Sequence, residues 1–344
     1  MTLKIFFCFF LLIFSVTEGI AQSSVQKPWN KNRESIEKSL AHNKILKLTP
    51  MRDFLRLQGK LPDYTNEVFL AELEGDIKAV FKYDPEERDM YGEVAAYRAS
   101  QHTGTDCVPP TVIRKHGKKN GSLQLYIETT IDGSSSPKAF EKCYERVPAT
   151  ERADAEAFAF VFGQWDKSYG NFLFITSPGS KTLGLILIDN AGVSQLQYVR
   201  IGQSPFVRRM YSDKRKDKWT TEFPFSKMCE IPYESIKNHK DLKDFNLGPA
   251  PFQFLKAENR PLRYVLWNNS LWFQAHNNRP FIPQQISRRL LDKLVFLSEK
   301  DIKTIWKETP RSWPTAQKRD IIKLTLERRD QLLSYIKLNN IPVV

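Results

Sequence analysis

The chain has 344 residues, 41% hydrophobic and 26% charged, which is the balance of a globular protein and excludes a disordered or fibrous one. Its formal net charge of +13 points to anionic partners. There is no Cys/His finger spacing and no basic region joined to heptads, so no nucleic-acid partner is expected. The chain opens "MTLKIFFCFFLLIFSVTEGIAQSS": one Lys, an apolar run over 5–16, then Gly19 and Ala21 at the −3 and −1 positions before Gln22. Residues 1–21 therefore read as a signal peptide, too short to span a bilayer comfortably, and the mature protein is expected to be secreted or to lie in a periplasm or secretory-pathway lumen. Cys107, Cys143 and Cys229 remain after it, which allows at most one internal disulfide. No CxxC and no HxxxH is present, and no zinc site is expected.

Residues 22–62 are polar, with "RESIEKSLAHNKILKL" and "MRDFLRLQG" predicted as two short helices of an N-terminal extension. "EVFLAELEGDIKAVFKY" reads as a β-hairpin turning at "EGD", with Val80 and Lys82 on one face of its second strand and Ala79, Phe81 and Tyr83 on the other. "GEVAAYRASQHTG" predicts a helix with Glu93, Tyr97 and Ser100 on one face and Gly104 as its stop. A second hairpin follows, with strands near 111–115 and 123–128. "ERADAEAFAFVFGQW" is a helix that runs directly into "DKSYGNFLFI", the start of a third hairpin ending in "LGLILIDNAG". Three helices are predicted near 284–298, 299–308 and 315–337, the last two separated by "TPRSWP".

Two carboxylates and an amide beside apolar strands, preceded by a strand Lys and a helix Glu, are the groups that phosphoryl transfer requires. Lys82 would contact phosphates, and Glu93 would reach back to pair with it. Asp166 would align an acceptor hydroxyl. Asn171 and Asp189, at the two ends of one hairpin, would offer the hard oxygen ligands that Mg²⁺ prefers. Each residue alone has a plainer reading: an edge-strand Lys, a first-turn Glu, turn-forming Asp and Asn. It is their order along the chain and the elements that carry them that favour a shared site.

The succession "VFK", "GEVAAYR", "VPPTV", "GSLQLYIE", "WDKSYGNFLF", "LILIDNAG" resembles the atypical kinases of the phosphatidylinositol 3-/4-kinase superfamily, closest to the branch of secretory-pathway casein-kinase-like enzymes and their bacterial relatives. The resemblance covers about residues 66–195. It implies an α+β fold of two lobes, protein-kinase-like: a small antiparallel sheet plus helix over 63–131 and a mainly helical lobe over 132–344. It implies Lys82, Glu93 and Asp166 as catalytic residues, Asn171 and Asp189 as metal ligands, and a hinge at Tyr126, Ile127, Glu128 and Thr129 whose backbone holds adenine. ATP and Mg²⁺ (or Mn²⁺) are the cofactors implied. The chain differs from relatives in having Gln164 where they often have Asn, Lys167 where they often have Arg, and "IDNA" with Gly192 one place later than usual.

The expected activity is transfer of the ATP γ-phosphate to a hydroxyl acceptor on a protein or glycan. A phosphoinositide kinase and a pseudokinase acting as a binding module are the rival expectations. The basic run Arg208, Arg209, Lys214, Arg215, Lys216 and Lys218, beside Trp219, reads either as a solvated loop or as a strip for an anionic acceptor, with peripheral membrane contact through 208–219.

Overall fold

The computed structural model describes residues 25–59, 67–85, 89–128, 131, 137–164, 169–176, 179–191, 193, 285–310, 313, 315–338 and 340–344. The expectations placed on the leader at 1–21, Thr129, Asp166, Lys167, Gly192, Cys229 and the basic run at 208–219 fall outside the described residues.

The fold is α+β. Five strands, β1 (Ile45–Pro50), β2 (Val68–Leu73), β3 (Ile77–Tyr83), β4 (Thr111–His116) and β5 (Lys119–Leu125), form one antiparallel sheet in the order β1-β2-β3-β5-β4. Positive φ at Gly75 and Asp76 closes the β2–β3 turn. Helix α1 (Arg33–His42) ends where Asn43 turns extended, and α2 (Met51–Leu57) follows β1. The helix expected to continue over 45–48 is therefore corrected to a strand. Ile45 and Leu48 mimic a helical stripe, but their backbone pairs with β2 from Ile45↔Leu73 to Pro50↔Phe69. The extension expected to be helical over 22–62 thus adds a strand to the sheet, at an edge where Pro50 costs no ladder bond. Strand β5 also lies earlier than the expected 123–128, because the turn is Gly117-Lys118 and the ladder to β4 runs from His116↔Lys119 to Thr111↔Gln124.

Helix α3 (Asp89–Thr103) carries Glu93. Its first turn is fixed by Asp84, whose carboxylate accepts the Met90 N–H at 2.9 Å. Its last turn is closed by Gly104 at φ +70°. The helical part comprises α4 (Pro137–Glu145), α5 (Ala149–Val161), α6 (Arg288–Val295), α7 (Glu299–Ile305) and α8 (Thr315–Leu338), the last three close to the ranges predicted. Between α5 and α6 lies the hairpin β6 (Phe172–Thr176) and β7 (Leu183–Leu187), entered through a 3-10 turn at Tyr169–Asn171.

Three apolar clusters hold these parts. Ala71, Leu73, Ala79, Phe81 and Leu123 on one sheet face pack beneath Leu40 of α1. Phe158 of α5 and Phe162 just after it, Phe172 and Phe174 of β6, and Leu185 and Leu187 of β7 join the larger core with α6–α8. Helix α3 lends Ala95, Ala96 and Ala99 to that larger core while also lying against β4 and β5, so it sits between sheet and helices. The third cluster puts Val25 and Trp29 on the other face of the β6–β7 hairpin, with Ile127, Ile175 and Ile186.

Candidate functional site

Lys82 stands near the end of β3, on the face opposite buried Phe81 and Ala79. Its ammonium donates to Glu93 Oε1 at 2.5 Å and to Asp189 Oδ1 at 2.9 Å. Three residues from a strand, a helix and a loop, separated in sequence by 11 and 107 positions, thus meet at one nitrogen. Glu93 is 2% exposed and uses both oxygens, since Oε2 accepts the Asn190 N–H at 3.1 Å. A buried carboxylate needs such partners to offset lost hydration. Burial alone would pull the Lys82 pKa down, but the negative charges of Asp189 and Glu93 outweigh it and hold it above the ordinary lysine value. The ammonium is therefore charged throughout the neutral range.

The Asp189 side chain is 50% exposed, in contrast to its partners. Solvent reaches it, while Glu93 beside it is buried. Its backbone is left-handed, φ 54°, a conformation Asp tolerates better than most residues. This turns the chain out of fully buried β7, so that the carboxylate faces Lys82 while the carbonyl faces the other way. That carbonyl accepts from Gln164 Nε2 at 3.0 Å, and Asn190 Oδ1 accepts from the same nitrogen at 3.4 Å. Asn190, fully buried, donates through Nδ2 to Leu187 O at 3.1 Å. The loop comes so near α3 that a Cβ on Gly92 would sit 2.5 Å from Ala191 O. Only glycine permits that approach.

Asn171 lies beside this loop through its backbone, its carbonyl accepting the Ile188 N–H at 3.0 Å one residue before Asp189. The donor set of Asp189 carboxylate and Asn171 amide has the hard oxygen chemistry that Mg²⁺ or Mn²⁺ takes, with few protein ligands and an exposed side. Tyr126, Ile127 and Glu128 follow β5 directly, where the chain leaves the sheet and Ile131 bridges to Phe174 of β6. The Tyr126 N–H is taken by Lys78 O at 3.0 Å, and its ring meets Phe54 edge-on at 6.0 Å. Burial raises the Tyr126 phenol above its ordinary pKa. Ile127 packs with Trp29, and Glu128 pairs with Lys78 at 3.2 Å on the surface.

Of the residues singled out in the sequence, Lys82, Glu93 and Asp189 meet directly, Asn171 joins through its backbone, and Tyr126–Glu128 form a separate stretch at the exit from the sheet. In the sequence, Gln164 stood out only as a departure from relatives and Asn190 only as part of "IDNA". Their place in the site shows only once α5 and β7 lie side by side.

No family model matches the chain, and no curated protein matches it. Solved structures do. A hydra Fam20 solved with sugar has a TM-score of 0.49 at 11% identity, over 94% of this chain and 95% of that one. A Golgi casein kinase with Mn/ADP bound has a TM-score of 0.45 at 13% identity, over 88% and 75%. The Helicobacter pylori proinflammatory kinase CtkA has a TM-score of 0.44 at 12% identity, over 87% and 98%.

Proposed function

We propose that this protein is an atypical, protein-kinase-like phosphotransferase of the phosphatidylinositol 3-/4-kinase-like type, which binds ATP with Mg²⁺ or Mn²⁺ and passes the γ-phosphate to a hydroxyl on a protein or glycan outside the cytoplasm. The observation that carries this reading is the convergence of Lys82, Glu93 and Asp189 on one nitrogen. Lys82 offers a fixed positive charge to the phosphates. Glu93 keeps it pointed there and, through the Asn190 N–H, ties α3 to the loop of Asp189. Asp189 and Asn171 would hold the divalent cation, which when bound supplies neutralisation of phosphate charge. When the nucleotide enters, Lys82 exchanges its bond to Asp189 for a phosphate oxygen and retains Glu93, so no buried charge is stranded. Asp166 is assigned to align the acceptor hydroxyl, and the backbone after β5, at 127–129, to hold the base. The signal peptide at 1–21 supports an acceptor beyond the membrane, and the basic run at 208–219 supports an anionic one.

The test is incubation with γ-labelled ATP and Mg²⁺ or Mn²⁺, offering acidic proteins, glycans and phosphoinositide vesicles in parallel. Wild type should transfer label, while Asp189→Ala and Asp166→Ala should not. Nucleotide binding without transfer in the wild type would instead make it a binding module. Label on vesicles alone would make it a lipid kinase.

A further inference from the structure

Helix α5 ends in a turn whose carbonyls are met from within the turn and from another helix. The Gly163 N–H returns to Phe160 O at 3.2 Å and the Gln164 N–H to Ala159 O at 2.9 Å, a Schellman closure with Gly163 at φ +67°. The Phe162 N–H takes Phe158 O at 3.0 Å. The carbonyl of Val161 is the next in line, and it accepts from Arg328 Nε of α8 at 2.8 Å. Arg328 is 0% exposed, and Gly163 and Gln164 are buried with it. A Cβ built on Gly163 would lie 2.7 Å from the Arg328 guanidinium carbon and from both of its terminal nitrogens. Glycine is thus required twice at 163, for its left-handed backbone and for the flat group packed against it.

From this turn the chain passes straight to Gln164, whose amide holds the Asp189 carbonyl and the Asn190 side chain. Asn190 in turn gives its N–H to Glu93, which orients Lys82. A continuous polar path therefore runs from the C-terminal helix to the Lys82 ammonium through Val161 O, the Gly163-Gln164 turn and the Asp189-Asn190 loop. Burying a guanidinium is costly, and a packed apolar side chain would often serve stability as well. A charge kept at this place fixes the turn rather than adding to the core.

We infer that Arg328 is a positioning residue: it sets the Gly163-Gln164 turn and, through Gln164, the orientation of Asp189 as a divalent-cation ligand. The inference rests on the phosphotransfer reading of the site. Arg328→Met keeps the bulk and removes the donor, and Arg328→Lys restores one donor within reach of Val161 O. Label transfer titrated with Mn²⁺ should show Arg328→Met needing on the order of tenfold more metal at half-saturation, as for groups that orient a ligand from behind. Arg328→Lys should recover much of that loss, and the KM for a protein acceptor should stay unchanged. A purely structural role would instead lower melting temperature in both variants, with the metal requirement of the folded fraction unmoved, and that result overturns the inference. Hydrogen exchange gives a readout that needs no turnover. Amides at 161–164 and 187–191 should exchange faster in Arg328→Met while those of β2 and β3 do not. Unchanged exchange at both segments overturns the inference even if transfer is never seen, whereas a wild type that transfers nothing but shows the exchange effect overturns the functional reading alone.

Discussion

Among the described residues, two largely buried lysines, Lys27 and Lys82, pair with carboxylates across long stretches of sequence, and they differ in what surrounds them. Lys27, in the N-terminal segment, donates to Glu151 of α5 and to Leu185 O of β7 at 2.7 Å. Glu151 accepts the Leu185 N–H at 2.8 Å, so the pair grips both sides of one strand residue. Side-chain exposure there is 5% and 11%, which leaves no route for a ligand. Lys82 has two carboxylates instead of one, and the second, on Asp189, is half exposed. The Lys27 pair closes a structure, fastening residues 25–29 onto the β6–β7 hairpin beside Trp29. The Lys82 group instead reaches solvent through the half-exposed Asp189 side chain. A buried lysine–carboxylate contact is therefore not a site by itself; the proposed role of Lys82 rests on the half-exposed carboxylate beside it.

Lys82→Met and Lys27→Met should separate the two roles most sharply. The first should cut label transfer by ~10²–10³-fold, the scale for removing one preorganised charge stabiliser, with the fold intact by circular dichroism. The second should cost about 3–5 kcal/mol of unfolding free energy, because it strands the Glu151 carboxylate, while transfer per folded molecule stays the same. If Lys27→Met abolished transfer without loss of stability, the contrast would be gone.

Gly92→Ala gives a smaller effect with an informative sign. Helix propensity alone favours alanine by about 1 kcal/mol. The contact with Ala191 O at 2.5 Å opposes it, and forces the Asp189 loop away from α3. Transfer should fall on the order of 10²-fold through misplacement of the site, with no gain in melting temperature. A more stable, fully active variant would show that the loop does not need this approach.

The smallest expected effect concerns Asp154, a buried carboxylate that pairs with neither lysine in the contacts described above. Burial raises its pKa, against the opposing bonds from the Ser287 hydroxyl and N–H at 2.5 and 3.0 Å. A carboxyl raised in the folded state favours folding while protonated, and that contribution is lost as the pH climbs through its folded value. Asp154→Asn should therefore gain in melting temperature relative to wild type as the pH rises from about 4 towards neutrality. A gap that stays constant with pH would rule out this titration.

The charged residues of the candidate site were legible in the sequence because charge beside an apolar strand is unusual, and their order suggested a chemistry. Lys82, Glu93 and Asp189 were found this way. Gln164 and Asn190 were not, since an amide carries no charge signal and their partners come from elements far apart in the chain. Gly92 looked like any small helix residue until a loop came within van der Waals distance of it. Among the elements, the helices after 284 lie close to where the sequence placed them, and α7 opens on a Ser298–Asp301 capping box. Residues 45–48 were misread because strand β1 owes its form to pairing with β2 and not to its own alternation. The buried alternation at Val25, Lys27 and Trp29 is too short a pattern to stand out in a polar segment.

Calorimetric titration with ATP in the presence of Mn²⁺, repeated after chelation of the metal, tests the account most directly. Wild type should bind ATP with metal and lose most of that affinity without it, and Lys82→Met and Asp189→Ala should each bind far more weakly in folded form. Metal-independent binding, or binding that both variants retain in full, would contradict the claim that Lys82 and Asp189 together form a nucleotide–metal site.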